Sequence, residues 1–263
     1  MEEVRNVFRR RKITNTCFFA GMILIFAAAS MVTGFHVADG IRSFPAAAEW
    51  IVSNLVPDAR ALGHLPKILD RLTETALLSA AVTVLAAVFA FLFSLLGSDI
   101  LKIHWAMKRM VRIAAAFFRN VPDVAWAMLL MFSFGQNILT GFFALFFTTF
   151  GLLTRAFVET IDEVSSSCVE ALEATGAGIF PIVFQGILPS SLPGVLTWVL
   201  YMIETNIRSS TLIGILTATG IGYLFDLYYK RLDFSSASLV VLSIVILVLL
   251  IEAVSNKIRE VIM

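Results

Sequence analysis

Two charged pairs are the places where this sequence could do chemistry. Glu204 and Arg208 stand four residues apart inside an apolar run, and Arg119 and Asp123 have the same spacing around Pro122. On a helix that spacing stacks one side chain above the other on a single face, within reach of an ion pair. An ionised group at mid-membrane costs about 2.5–3.5 kcal/mol on insertion scales, so each needs a partner or a polar path. If Arg208 faces such a path, it can attract an anion and exchange Glu204 for it; otherwise the pair fixes one helix against its neighbour. Asn206, Ser209, Ser210 and Thr211 add polar groups to the same stretch, to line a path or to bond back to their own backbone. For Arg119 the reading depends on where the apolar run begins. A start near Val121 makes it an interfacial anchor, with Pro122 in the first helical turn where its missing N–H is harmless; a start near Ile113 places the pair within the membrane. Other chemistry is missing from the pattern. There is no Gly-x-x-x-x-Gly-Lys-[Ser/Thr], no triad and no close carboxylate pair, and His36, His64 and His104 are scattered. Cys17 and Cys168 lie far apart without metal-ligand spacing, both expected on the reducing side, so neither a disulfide nor a metal is expected. The chain is not expected to be an enzyme by itself or to bind a cofactor.

The elements that carry these residues are membrane spans. Of 263 residues, 59% are hydrophobic, 23 are Phe and only 15% are charged, which lies outside the range of soluble domains but suits a protein solvated by lipid. The net charge of +1, with Lys and Arg at the ends of apolar runs, speaks against a nucleic-acid partner. A bilayer core needs about 20 apolar residues of helix. Runs of that kind occur at Thr16–Thr33, Leu72–Gly97, Val121–Phe157, from Leu192, and at Ser236–Ala253. The third is too long for one span, and Gly135-Gln136-Asn137 and Gly141 divide it into a hairpin, so about six transmembrane helices are expected. The first run follows Arg9, Arg10, Arg11 and Lys12 as a signal peptide would, but it lacks a small-x-small cleavage site and further spans follow. Five Lys/Arg within residues 1–12, then Lys102, Lys108, Arg109 and Arg112, and finally Lys257 and Arg259, share one side if six spans alternate. By the positive-inside rule both termini are cytosolic, in a multi-pass protein of the cell (inner) membrane; Arg42, Arg60, Lys67 and Arg71 on the other side weaken that asymmetry. The stretch Gly34–Arg71, with Pro45, Pro57 and Pro66, is expected to lie along the outer interface as short amphipathic pieces.

This topology makes Glu159–Pro189 a long cytosolic connection between the fourth and fifth spans. Ser167 with Glu170 three residues on reads as a capping box opening a short helix. Gly176 and Gly178 stop that helix, and a second short element, Ile179–Ile187, runs to Pro189. The expected shape is a helix–turn–helix parallel to the membrane.

The segment resembles the EAA loop of ABC-importer permeases, whose pattern is Glu-Ala-Ala, three residues, Gly, nine residues, Ile, any residue, Leu-Pro. Glu170, Ala171, Gly176, Leu188 and Pro189 match with the spacing intact, while Leu172 stands where Ala is usual and Gly186 where Ile is usual. Glu204-Thr-Asn206-Ile-Arg208-Ser-Ser-Thr211-Leu-Ile-Gly214 resembles the fifth-span signature of phosphonate-transport permeases, as do Leu72-Thr-Glu74-Thr75 and Arg119-Asn-Val-Pro122-Asp123-Val-Ala-Trp126-Ala. That family's usual Gly-Ala-Gly-Gly-Ile-Gly reads here Thr217-Ala-Thr219-Gly220-Ile-Gly222. The resemblance implies an all-α membrane protein with the type I ABC importer permease fold. It divides the chain into residues 1–71 (N-terminal segment, first span and outer stretch), a permease core 72–255 with coupling loop 159–189, and a tail 256–263. It also implies two cytosolic ATPase subunits that hold the ATP and Mg, an extracytoplasmic binding protein touching Gly34–Arg71 and a Tyr223–Phe234 loop, and a second permease copy. The implied cargo is phosphonate, phosphite, hypophosphite or phosphate. An amino-acid or betaine permease and an ion-coupled secondary carrier stay open as alternatives, although no internal repeat of the kind carriers show is found.

Overall fold

The computed structural model describes residues 2–101 and 103–262, with side chains from Arg10 onward; Lys102 and the side chains of Arg5 and Arg9 fall outside it. The chain divides between Asn54 and Leu55 into two compact units. The first holds α1 (Glu2–Thr33) and α2 (Val37–Asn54). Within Arg10–Thr33, α1 carries a window apolar enough to cross a membrane and presents Ile23, Leu24 and Ile25 outward, as a helix solvated by lipid does. α2 gathers what the sequence suggested were short pieces into one amphipathic helix with Pro45 inside it.

The second unit begins with the short α3 (Ala59–Leu62), whose first turn is capped by Asp58 accepting from the Ala61 N–H at 2.8 Å. That backbone hydrogen bond holds the Asp58 carboxyl below its usual pKa. α4 (Leu65–Gly97) carries Pro66 in its first turn and starts a full turn and more before the expected Leu72, because Leu65–Arg71 already places Ile68 in the core. α5 (Trp105–Asn120) and α6 (Asp123–Phe134) follow, then α7 (Ile138–Val164), α8 (Ser166–Ala174) and α9 (Ile179–Pro181). A π-turn, Ile182–Ile187, leads into α10 (Leu188–Thr217), and α11 (Gly220–Lys230) and α12 (Phe234–Ile262) complete the unit. Among the described residues, five stretches are long and apolar enough to cross a membrane, and a sixth span results if α5 and α6, bent by 88°, count as one.

The bend is local chemistry. Val121 precedes a proline and is forced to extended backbone (φ −87°, ψ 119°), so α5 ends there, and Pro122 caps α6 without donating a hydrogen bond. The hairpin turn is at Gly135–Asn137 as expected: Gly135 has φ +74°, and the Asn137 side chain accepts from the Thr140 N–H at 3.0 Å. Gly141 belongs to α7 instead of the turn. Its missing side chain lets Ile213 of α10 approach. The expected Tyr223–Phe234 loop is also mostly helix, because Ile221, Leu224 and Tyr228 recur at helical spacing and pack into the core with α4 and α12.

Lipid tails are as apolar as Leu, so helices here associate by close packing, not by escape from water. The core accordingly uses small residues. Ala86 and Ala90 of α4 pack against Phe150, Leu153 and Phe157 of α7, and Ala127 of α6 meets Ala144 and Leu145. At Gly151 a Cβ would sit 2.6 Å from the Arg119 backbone nitrogen, so the end of α5 lies directly on the α7 backbone.

Candidate functional site

The segment 165–189 forms a packed platform. α8 begins at Ser166, and Ser165 stands at its N-cap without a side-chain cap bond, so the expected Ser167–Glu170 capping box does not form. The Ser165 hydroxyl instead pairs with the Ser190 hydroxyl at 3.0 Å, closing the platform onto the start of α10. On its inner face Val169, Ile182 and Ile187 pack with Leu101 and with Ile161 of α7. Gly176 takes φ +78°, and the N–H groups of Gly176 and Ala177 return to the carbonyls of Glu173 and Leu172, which ends α8. Gly178 is extended and opens α9, so of the two glycines only Gly176 uses the left-handed region.

The two departures from the EAA pattern lie against each other. A Cβ on Gly186 would stand 2.9 Å from Leu172 Cδ1, so the large side chain at 172 fills the space that the usual large residue at 186 would take. In the same segment Glu170, Ala171, Gly176 and Pro189 are exposed, Leu188 is half-buried, and Ile179 and Phe180 are 55% and 74% exposed. The second element does not stop at Pro189. The Leu188 N–H donates to the Val183 carbonyl across five residues, and helix continues unbroken from Ile179 to Thr217.

Along α10, the polar residues separate into two sets. Arg208 Nη2 lies 3.1 Å from Glu204 Oε1, with Arg208 52% exposed and Glu204 only 12%. The carboxylate is therefore held within the fold while the guanidinium reaches its surface. Asn206 is buried and donates to Thr83 Oγ1 (2.8 Å) and Thr149 Oγ1 (2.9 Å), and Ser79 donates to Ser210 at 3.1 Å. These groups tie α4, α7 and α10 together, so Asn206 and Ser210 face the interior of this bundle; Ser209 and Thr211 are half-buried, and Thr211 bonds back to the Ile207 carbonyl. At the other end, Thr217 and Thr219, which replace two glycines of the family pattern, hydrogen-bond to each other at 2.8 Å. The glycines that remain are where helices approach most closely: a Cβ at Gly222 would lie 2.0 Å from the Thr211 carbonyl oxygen, and one at Gly220 (φ +57°) 2.4 Å from the Thr75 side-chain Oγ1.

Arg119 and Asp123 do not stack, because the bend at Pro122 falls between them. Asp123 accepts from the Val124 N–H, and Arg119 closes α5 with a buried Nε that has no hydrogen-bond partner among the described residues. A further charged cluster escaped sequence reasoning. Asp162 of α7 accepts from Ser98 Oγ (2.5 Å) and the Asp99 N–H (2.8 Å), and Arg112 lies 2.7 Å from Asp99 and 3.5 Å from Asp162. The Arg112 hydrogen bond, more than the nearby Lys108 charge, holds Asp99 below the usual carboxylate pKa. No periodicity links 99 to 162; only the fold brings them together.

The family of binding-protein-dependent transport system inner membrane components matches residues 90–262. The chain belongs to this family. Among its relatives, this permease is 28% identical over 158 residues to the phosphate-import permease protein PhnE of Mycolicibacterium smegmatis, a match covering 60% of the permease but only 29% of that protein's length. It is 26% identical over 189 residues to the phosphite transport system permease protein PtxC of Stutzerimonas stutzeri, covering 72% of the permease and 69% of the relative. Its fold is that of the type I ABC importer permeases. An inward-facing structure of the MetNI methionine ABC transporter superposes with a TM-score of 0.62 at 22% identity, covering 75% of this permease and 98% of that chain.

Proposed function

We propose that the permease is a membrane-spanning subunit of an ATP-driven importer for phosphonate or a related phosphorus oxyanion. The relatives named for phosphate and phosphite transport support the cargo. The observation that carries the mechanism is the exposed side of the 165–189 platform, where Glu170, Ala171, Gly176, Ile179 and Phe180 are all exposed while Val169, Ile182 and Ile187 form a packed base. That face suits a groove on a cytosolic ATPase, which holds the ATP and Mg that this chain does not. Two ATPases grip two permease copies, both termini of each copy are cytosolic, and an extracytoplasmic binding protein delivers substrate against Gly34–Arg71 and the Tyr223–Phe234 region. ATP closure moves the platforms and shifts the helix packing between inward and outward access. Arg208, held by Glu204 and open on one side, attracts the anion along the path, while the Asn206–Ser210 cluster keeps the helices that line it in register.

The test is uptake of labelled phosphite by proteoliposomes holding the permease, its ATPase and its binding protein. Uptake is expected to require ATP and to fall about tenfold in Arg208→Ala, the loss of one charge-assisted contact. Uptake that survives ATP depletion and collapses with an ion gradient overturns the reading in favour of an ion-coupled carrier. Unchanged uptake by a stably inserted Arg208→Ala protein assigns that residue to the scaffold.

A further inference from the structure

A cavity of about 250 Å³ opens between α5, α7 and α10, lined by Arg119, Arg155, Glu159, Trp198 and Tyr201. Its chemistry is one-sided. Arg119 and Arg155 are cations, and the Trp198 indole and the Tyr201 hydroxyl are further donors, with no hydrogen bond to either among the described residues. The single carboxylate, Glu159, is engaged by Arg155 at 2.7 Å. Among the described residues Arg119 has no ion-pair partner, and its Nε is buried without a hydrogen bond. A buried donor without an acceptor costs about 1–3 kcal/mol, more when charged, so this site is built to be completed by an acceptor. Position adds to chemistry. Arg155 lies in the second half of α7, and Trp198 and Tyr201 in the first half of α10, both toward the 165–189 platform. Arg119 is fixed there by two local devices, the α5–α6 bend beside it and the Gly151 contact beneath its backbone.

We infer that Arg119, with Arg155, Trp198 and Tyr201, forms an oxyanion-binding station on the platform side of the bundle that receives a small free phosphorus oxyanion on its way to the cytosol. This rests on the transport reading above and places a second cationic contact beyond Arg208. A guanidinium presents paired N–H groups that match two oxygens of a tetrahedral anion, and the indole and hydroxyl donors can take others. Arg155 keeps Glu159 as its resting partner, so binding need not leave a carboxylate bare.

Trp198 is the reporter. The full-length permease in nanodiscs of phosphatidylcholine is titrated with phosphite at constant ionic strength, and tryptophan fluorescence is followed. A saturable change is expected that chloride does not produce, that disappears in Trp198→Phe, and whose midpoint rises about tenfold or more in Arg119→Gln and less in Arg119→Lys. Absence of a Trp198-dependent signal in the wild type overturns the station without recourse to any variant, which covers the case in which Arg119→Gln does not fold. A midpoint unmoved in a folded Arg119→Gln protein also overturns it. Nanodiscs containing phosphatidylglycerol separate the two phosphate sources: a site already saturated by anionic lipid, and silent to phosphite, is a headgroup site and sinks the proposal. Binding is read apart from uptake. A complex that imports phosphite while this signal is missing keeps its function and loses the station. One that binds phosphite but imports no phosphorus oxyanion keeps the station and loses the transport reading.

Discussion

At the scale of single residues, the positions where this chain leaves its family's pattern are paired in space. Leu172 and Gly186 exchange volume across the platform, and the Thr219 hydroxyl donates to that of Thr217, whose own proton goes to the Ile213 carbonyl. The first pair gives a sharp prediction. Gly186→Ala is expected to be nearly neutral, since the nearest atom is the movable end of Leu172. Gly186→Ile alone overpacks the site and lowers stability by about 1–3 kcal/mol. Adding Leu172→Ala should recover most of that loss, a coupling that thermal melts of the four proteins in detergent measure as a double-mutant cycle. Additive effects would mean that the two side chains do not share the space.

At the scale of elements, the platform depends on one backbone angle. Gly176 has no atom within 4 Å of a would-be Cβ, so a side chain there meets no clash, only the left-handed conformation itself. Gly176→Val is therefore expected to strain the α8–α9 turn by about 1–2 kcal/mol while the spans fold normally. Co-purification of the ATPase and its stimulated turnover should fall in that variant; full retention of both would remove the platform from coupling. Much of the element layout was legible in the sequence, because membrane runs are long and apolar and the turn at Gly135–Asn137 is spelled in glycine and amide residues. What was not legible came from packing. The sequence of α5 shows mainly its basic residues, Lys108, Arg109 and Arg112, yet Val111 and Ala115 bury one face of it. The capping box at Ser167 failed because Ser165 leaves the end of α7 already helical and spends its hydroxyl on Ser190. The cavity around Arg119 draws on residues from three helices, and no linear spacing announces it.

At the scale of the whole molecule, sidedness decides the proposed mechanism. Cys17 and Cys168 are the two native thiols, and with both replaced by Ser a single Cys at position 170 becomes a probe of topology. Glu170→Cys is expected to react with a membrane-impermeant maleimide only in inside-out vesicles. Labelling from the outside of intact cells would place the platform away from any ATPase and end the coupling scheme. Sidedness also gives meaning to the π-turn at Ile182–Ile187, which joins the platform to α10 without a break. A π-turn stores one residue more than an α-turn. Rewinding it to α geometry would screw the rest of α10 about its own axis by about 100° and shift it by about 1.5 Å. A push on the platform would then reach Glu204 and Arg208 as rotation, turning the guanidinium toward or away from its partner helices while the helix itself barely tilts.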